Sequence, residues 1–229
     1  MVTTLERIAD LESFILDPYL VLYLPLYELD GASFMSRDAY GHLCTVTGAG
    51  WRPNGRYFDG VDDIINCGNA VSLQLAGAMT AELWINPTIG TASDVMGKGG
   101  NGEYAAFLFQ LLATGQLYFS QSVDGASWGT SIGSTVNLSS NTWFHIVGVS
   151  DLTIATLYIN TVVRGTDATP APSLWNASVS VSVGAGIKPS NQAIGNYFTN
   201  YIGEVRIYNR ALTPAEIMNN YLATKWRYC

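Results

Sequence analysis

Two tryptophans sit where a ligand could reach them. Trp128 lies in "SVDGASWGTS" and Trp175 in "APSLWNAS", both polar stretches that read as loops. A flat aromatic face can stack on the C–H-rich face of a pyranose, while Asp, Asn and Gln bond its hydroxyls. Asp124 and Ser127 neighbour Trp128, and Asn176 and Ser178 neighbour Trp175. Trp128, Trp175, Asp124 and Asn176 are therefore the candidate ligand-binding residues. The competing reading is structural, since a loop tryptophan can equally tuck under its own turn. Trp51, Trp84 and Trp143 fall in or beside expected strands and read as core.

Catalytic patterns are absent from the sequence. Glycoside hydrolysis uses two carboxylates flanking the scissile bond. On a strand these would alternate as Glu-x-Asp-x-(x)-Glu, and no such run occurs. Glu82, Glu103 and Glu204 are isolated, and the adjacent Asp62 and Asp63 would point to opposite faces of a strand. His42 and His145 have no Ser or Cys in a recognisable nucleophile elbow, and His145 in "TWFHIV" reads as a core histidine. The expectation is a protein that is not an enzyme.

The elements that must position the tryptophans follow from periodicity. "GEVRIYN" alternates Val205 and Ile207 with Glu204, Arg206 and Tyr208, as a half-buried strand does. "TPAE" then supplies Thr213 as N-cap, Pro214 at the first helical position and Glu216 to complete a capping box. Ile217, Tyr221 and Leu222 would form the packed face of that short helix. "AAFLFQLL" and "QLYFSQSV", separated by "ATG", read as a hairpin, and "SVSVSVGAG" puts Val179, Val181 and Val183 on one face. Strands at roughly 8–12-residue spacing, with turn signals between them, point to an antiparallel sandwich or barrel.

Composition agrees. The chain has 229 residues, 48% of them hydrophobic and 13% charged, which suits a large core rather than disorder. A net charge of −7 with pI near 4.6 excludes the basic stripe that nucleic acid requires. No apolar run approaches the ~20 residues that span a bilayer, so no membrane insertion is expected. Cys44, Cys67 and Cys229 make neither a disulfide framework nor a metal pattern, although Cys44 and Cys67 could pair.

At the N-terminus, "MVTTLERIADLESFILD" lacks a basic n-region and a continuous apolar stretch, so no signal peptide is expected. Thr3 and Glu6 form a second capping box, and Leu5, Ile8, Leu11 and Ile15 recur at helical spacing until Asp17-Pro18. This predicts a short helix within a segment 1–19, ahead of a domain 20–229. The helix either packs on its own sandwich or docks on a partner.

"RYFDGVDDII", "MTAELWINP", "NTWFHIVGVSD", "LYIN" and "YIGEVRIYNRALTPAEI" occur here in an order and spacing that resemble the laminin-G-like, concanavalin A-like jelly rolls. The resemblance spans roughly residues 20–224. It implies an all-β fold of two antiparallel sheets packed face to face in a jelly roll, closed by the short C-terminal helix; the short N-terminal helix lies outside it. It also raises calcium, which takes carboxylate and carbonyl oxygens. The family's closing strand usually reads Ile-Asp-Glu-Val-Arg, but Gly203 replaces the Asp in "YIGEVR". Asp59, Asp62 and Asp63 remain as candidate metal ligands, against the alternative of a solvated acidic turn. Otherwise no cofactor is expected. The resemblance implies a lectin-like surface module that contacts glycans, and the lack of a signal peptide adds the expectation that it serves as a structural or adhesion protein of a virus particle or another extracellular assembly. Residues 1–17 would contact copies or virion neighbours. A secreted carbohydrate-binding module is the alternative, and a glycan-active enzyme the weakest.

Overall fold

The computed structural model describes residues 17–228. The N-terminal helix expected over residues 3–16 lies outside them. Two eight-stranded antiparallel sheets face each other. The first runs Val162–Asp167, Ala155–Ile159, Phe144–Ser150, Met79–Pro87, Thr199–Tyr208, Gly55–Asp59 and Gly50–Arg52. The second runs Thr130–Asn137, Gln116–Gln121, Ala105–Leu111, Ser93–Gly99, Ser182–Val183, Ile64–Asn66, Leu43–Thr47 and Ser33–Met35. This is the expected all-β sandwich.

The eighth strand of the first sheet is Leu20–Pro25, and its position depends on Gly203. The long strand Thr199–Tyr208 pairs with Gly55–Asp59 through Thr199–Ile202 and with Leu20–Pro25 through Glu204–Tyr208. Its register against Met79–Pro87 shifts between Ile202 and Val205, and Gly203 O accepts from Leu26 N at 3.0 Å. A Cβ at Gly203 would stand 2.5 Å from the Tyr228 ring. Glycine replaces the family aspartate because an aromatic ring occupies the space above it.

Alternation along the strands builds the core. Leu83, Ile85, Val205 and Ile207 face Phe107, Phe109, Leu117 and Phe119 of the opposite sheet, all buried in one cluster. Val179, Val181 and Val183 join it, although only Ser182–Val183 of "SVSVSVGAG" pairs as a strand. Cys44 and Cys67 are buried there as free thiols.

On its outer face the first sheet carries the C-terminal helix Pro214–Thr224, whose Thr213–Glu216 capping box forms as expected. Ile217, Asn220 and Thr224 are its buried positions. Tyr221 stacks on Trp84, but Leu222 is 48% exposed, so the expected packed face is rotated away from it. Trp84 is fully buried, while Trp51 and Trp143 are only half-buried. The carboxylates expected to be isolated meet beneath this helix. Glu82 Oε1 accepts from Arg206 Nη1 at 2.9 Å and from His145 Nε2 at 2.7 Å, and Arg206 Nη2 donates to Glu204 Oε2 at 2.9 Å.

Candidate functional site

The outer face of the second sheet holds the candidate site. Along Ala105–Leu111, Phe107, Phe109 and Leu111 point into the core, leaving Leu108 and Gln110 on the opposite face. Gly102, Glu103 and Tyr104 lead into this strand, and Trp128 comes across from the loop after Gln116–Gln121. With Leu108 and Gln110 they line an open cleft of about 330 Å³. Trp128 is 37% exposed and stands edge-to-face against Tyr104, with ring centroids 5.1 Å apart and planes at 69°. This is the geometry the aromatic quadrupole favours.

Polar groups fix the cleft floor. Asp94 is fully buried, and its Oδ2 accepts from Asn101 N at 2.6 Å and from Asn196 Nδ2 at 3.3 Å. Its Oδ1 accepts from Gln110 Nε2 at 3.1 Å. Burial pushes the Asp94 pKa up, against these three bonds. Because a carboxylate only accepts, Gln110 must turn its amide nitrogen to Asp94, leaving its Oε1 as an acceptor for a ligand hydroxyl. Gly100, at φ +112°, lets the loop approach, since a Cβ there would stand 2.6 Å from Asp94 Oδ2. Glu103 accepts from Ser190 Oγ and from Ser190 N at 3.0 Å, and these bonds hold its pKa below the usual carboxylate value.

Of the four residues expected to bind ligand, the structure brings only Trp128 to this cleft. Asp124 serves the Trp128 loop instead, its Oδ1 accepting from Ala126 N at 2.8 Å and Ser127 N at 2.9 Å. Trp175 is half-buried against the core, and a Cβ on Gly125 would stand 2.7 Å from its indole. It tucks beneath the turn that Asp124 shapes. Asn176 is exposed and donates to Gln74 Oε1 at 3.1 Å. Tyr104, Gln110 and Asp94 were missed from the sequence. The glycine run in "GKGGNGEY" was the available signal, because clustered glycines mark close backbone approach.

The aspartate cluster also departs from expectation. Asp62 and Asp63 lie in a turn, not on a strand, so they are not forced to opposite faces. One carboxylate oxygen from each of Asp59, Asp62 and Asp63 falls within 4.8 Å of the others. Asp63 is buried, and its Oδ2 accepts from Asp59 N at 2.8 Å. Burial raises the Asp63 pKa, with Asp59 and Asp62 adding to the rise. Three converging oxygen donors fit a hard divalent cation such as calcium.

Two antiparallel sheets packed face to face, closed by one C-terminal helix, are consistent with the concanavalin A-like class. The chain belongs to the concanavalin A-like lectin/glucanases superfamily, whose family model matches residues 58–218. No curated protein sequence matches it. Among solved structures, a Trypanosoma rangeli sialidase mutant displaying trans-sialidase activity is similar at 16% identity and TM-score 0.66, over 92% of this chain and 34% of that one. The binding domain of Paraclostridial Mosquitocidal Protein 1 is similar at 15% identity and TM-score 0.66, over 91% of this chain and 52% of that one. The botulinum neurotoxin serotype G binding domain is similar at 15% identity and TM-score 0.67, over 89% and 50%. The chain thus spans between about a third and half the length of these neighbours.

The sialidases correct one expectation. The lack of a familiar carboxylate spacing led to a protein that is not an enzyme, yet sialidases, which are enzymes, share this fold over nearly the whole chain. That expectation is withdrawn. At these identities the likeness establishes fold alone, and the enzyme status of the chain is not established.

Proposed function

We propose that the chain is a carbohydrate-binding module that holds a neutral glycan in the cleft between Trp128 and Tyr104. The observation that carries this reading is the part-exposed Trp128 ring, braced edge-on by Tyr104 beside the oriented Gln110 amide. A pyranose would stack on the indole and offer a hydroxyl to Gln110 Oε1. Among the described residues, Glu103 is the one charged side chain lining the cleft and no base lines it, which favours uncharged over acidic sugars. Superfamily membership and two neighbours described as binding domains support the reading. The setting we propose is extracellular or at a virion surface, in an adhesion role; a secreted module with no assembly role would use the same cleft.

A glycan array followed by calorimetry tests it. Trp128→Ala should weaken binding several-fold, because losing an aromatic contact costs about 0.5–1.5 kcal/mol beyond burial. Unchanged affinity for every glycan bound, or a preference for sialylated ligands, would overturn the assignment.

A further inference from the structure

We propose that Cys44 and Cys67 are a disulfide site, joined across neighbouring strands when the chain folds in an oxidising setting. The register places them. Leu43–Thr47 and Ile64–Asn66 run antiparallel, with Val46 opposite Ile65 and Thr45 opposite Asn66. One step further along the ladder sets Cys44 opposite Cys67. The Val46 N–H donates to Ala32 O and the Cys67 N–H to Val181 O, so both turn away from the edge the two strands share. Cys44, two residues from Val46, turns the same way as Val46. The two cysteines are therefore an opposed pair that exchanges no main-chain hydrogen bond. Side chains approach most closely in such pairs, whose Cα atoms stand about 4.5 Å apart. A disulfide spans Cα separations of roughly 4.4–6.8 Å, so the bond needs little movement of the strands.

Burial decides when the bond forms. Cys44 and Cys67 are 0% and 2% exposed within the core between the sheets. Cys44 Sγ donates to His42 O at 3.7 Å, and the Cys67 thiol is hydrogen-bonded to Cys44. That bond and burial push the Cys67 pKa up and keep its proton in place. Thiol–disulfide exchange needs a thiolate that an oxidant can reach, and the closed sandwich hides both sulfurs. The reaction therefore precedes closure of the sheets. A cysteine thiolate of the open chain attacks a small disulfide such as glutathione disulfide and releases one glutathione thiolate. The second cysteine then displaces the other glutathione and leaves the Cys44–Cys67 bond. The protein thiols have lost two protons and two electrons, and the glutathione disulfide has become two glutathione thiols. Once the sheets close, the bond is as hidden from reductants as the thiols are from oxidants. The chain then keeps the redox state in which it folded, whatever its cleft binds.

Refolding the full chain in two redox states tests this, with Cys229→Ser to remove the terminal thiol. The protein is unfolded in denaturant, then refolded either with reductant or with mixed reduced and oxidised glutathione. After refolding in glutathione, thiol titration of the denatured protein should find no free thiol. Peptide mass mapping should find Cys44 and Cys67 linked at monomer mass, two hydrogens lighter than the reduced pair. The oxidised protein should melt several degrees above the reduced one, because the bond constrains the unfolded chain. Reduced protein that is already folded should keep both thiols through hours in the same glutathione buffer. Both states share one sequence, so no core variant has to fold. Two free thiols after oxidative refolding, glutathione held on either cysteine, or pairing only between two molecules would overturn the proposal. So would an oxidised protein that melts below the reduced one, or ready oxidation of the folded form.

Discussion

Glu82 and Arg206 are cross-strand partners that meet at 2.9 Å with their side chains 0% and 1% exposed. They lie on the outer face of the first sheet, which would be solvated without the C-terminal helix. The helix brings Asn220, whose Nδ2 donates to Glu82 Oε2 at 2.8 Å, while His145 donates to Oε1. Glu204 adds a second negative charge beside Arg206, and Tyr23 Oη donates to it at 3.1 Å. Such a network is stable only when every charge is paired, because an unpaired buried ion keeps its desolvation cost.

Removing the shared cation should therefore hurt far more than removing the whole cluster. Arg206→Met leaves the Glu82 and Glu204 carboxylates buried without it and should cost about 3–5 kcal/mol. The triple variant Glu82→Leu, Glu204→Leu with Arg206→Met should recover much of that loss. Chemical denaturation of the single and triple variants checks it. A triple variant as unstable as the sum of its singles would show that the three groups are not coupled.

Acid should weaken the same region. Burial alone would raise the Glu82 pKa, but Arg206, His145 and Asn220 together outweigh it and hold the carboxyl below 4.5. Glu216, in the first turn of the helix, is held at about 2, chiefly by Arg210. A depressed acid stabilises the fold fully above its unfolded pKa and loses that contribution as pH falls through its folded pKa. Stability should hold down to about pH 4.5 and decline from there towards about 2. Thermal melts across pH 6 to 2 read this out, and Glu216→Gln should flatten part of the decline. A Tm insensitive to pH below 4.5 would contradict the assignment.

These elements differ in how far the sequence disclosed them. The Thr213–Glu216 capping box was legible because every atom it needs lies within four residues. The strand alternation that packs Val205 and Ile207 inward was legible for the same local reason. The Glu82–Arg206 pair was not, since its partners stand 124 residues apart and meet only through strand register. Trp128 and Trp175 looked alike because both sit in polar stretches. What separates them is Gly125 above one indole and Tyr104 beside the other, and no local pattern reports either.

That difference predicts opposite behaviour for the two tryptophans. Trp175→Ala removes a ring packed on the core and should cost about 3–5 kcal/mol, as large core truncations do. Trp128→Ala should move the Tm by no more than a few degrees. Parallel melts of the two proteins test the contrast, and equal losses would place Trp128 in the fold rather than the cleft.

Restoring the family aspartate should fail. Gly203→Asp recreates Ile-Asp-Glu-Val-Arg, yet its Cβ would meet the Tyr228 ring at 2.5 Å. Backbone or ring must shift, and overpacking of this kind costs about 1–3 kcal/mol. The variant should melt lower than the natural protein. Tyr228→Gly should relieve the clash, so that Gly203→Asp costs less in that background than in the natural one, measured as a thermodynamic cycle. A Gly203→Asp protein that melts as high as the natural one would show that the ring is not what excludes the side chain.

Calcium is the remaining test, and it turns on repulsion. Asp59, Asp62 and Asp63 bring three carboxylates within 4.8 Å, with Asp63 buried at 4% exposure. Like charges this close oppose one another, and burial of Asp63 adds a desolvation cost. A divalent cation would relieve both, and three carboxylates with nearby carbonyls can supply much of the six- to eight-oxygen shell calcium takes. Millimolar calcium should raise the Tm, by about 2.7 kcal/mol of stability at a hundredfold excess over Kd. Asp62→Asn should act in two directions, raising the Tm of the metal-free protein by easing repulsion and blunting the response to calcium. Melts of both proteins in chelator and in calcium separate the effects. If calcium leaves the natural protein unmoved while Asp62→Asn still raises its Tm, the cluster is an acidic turn that the fold tolerates, and not a metal site.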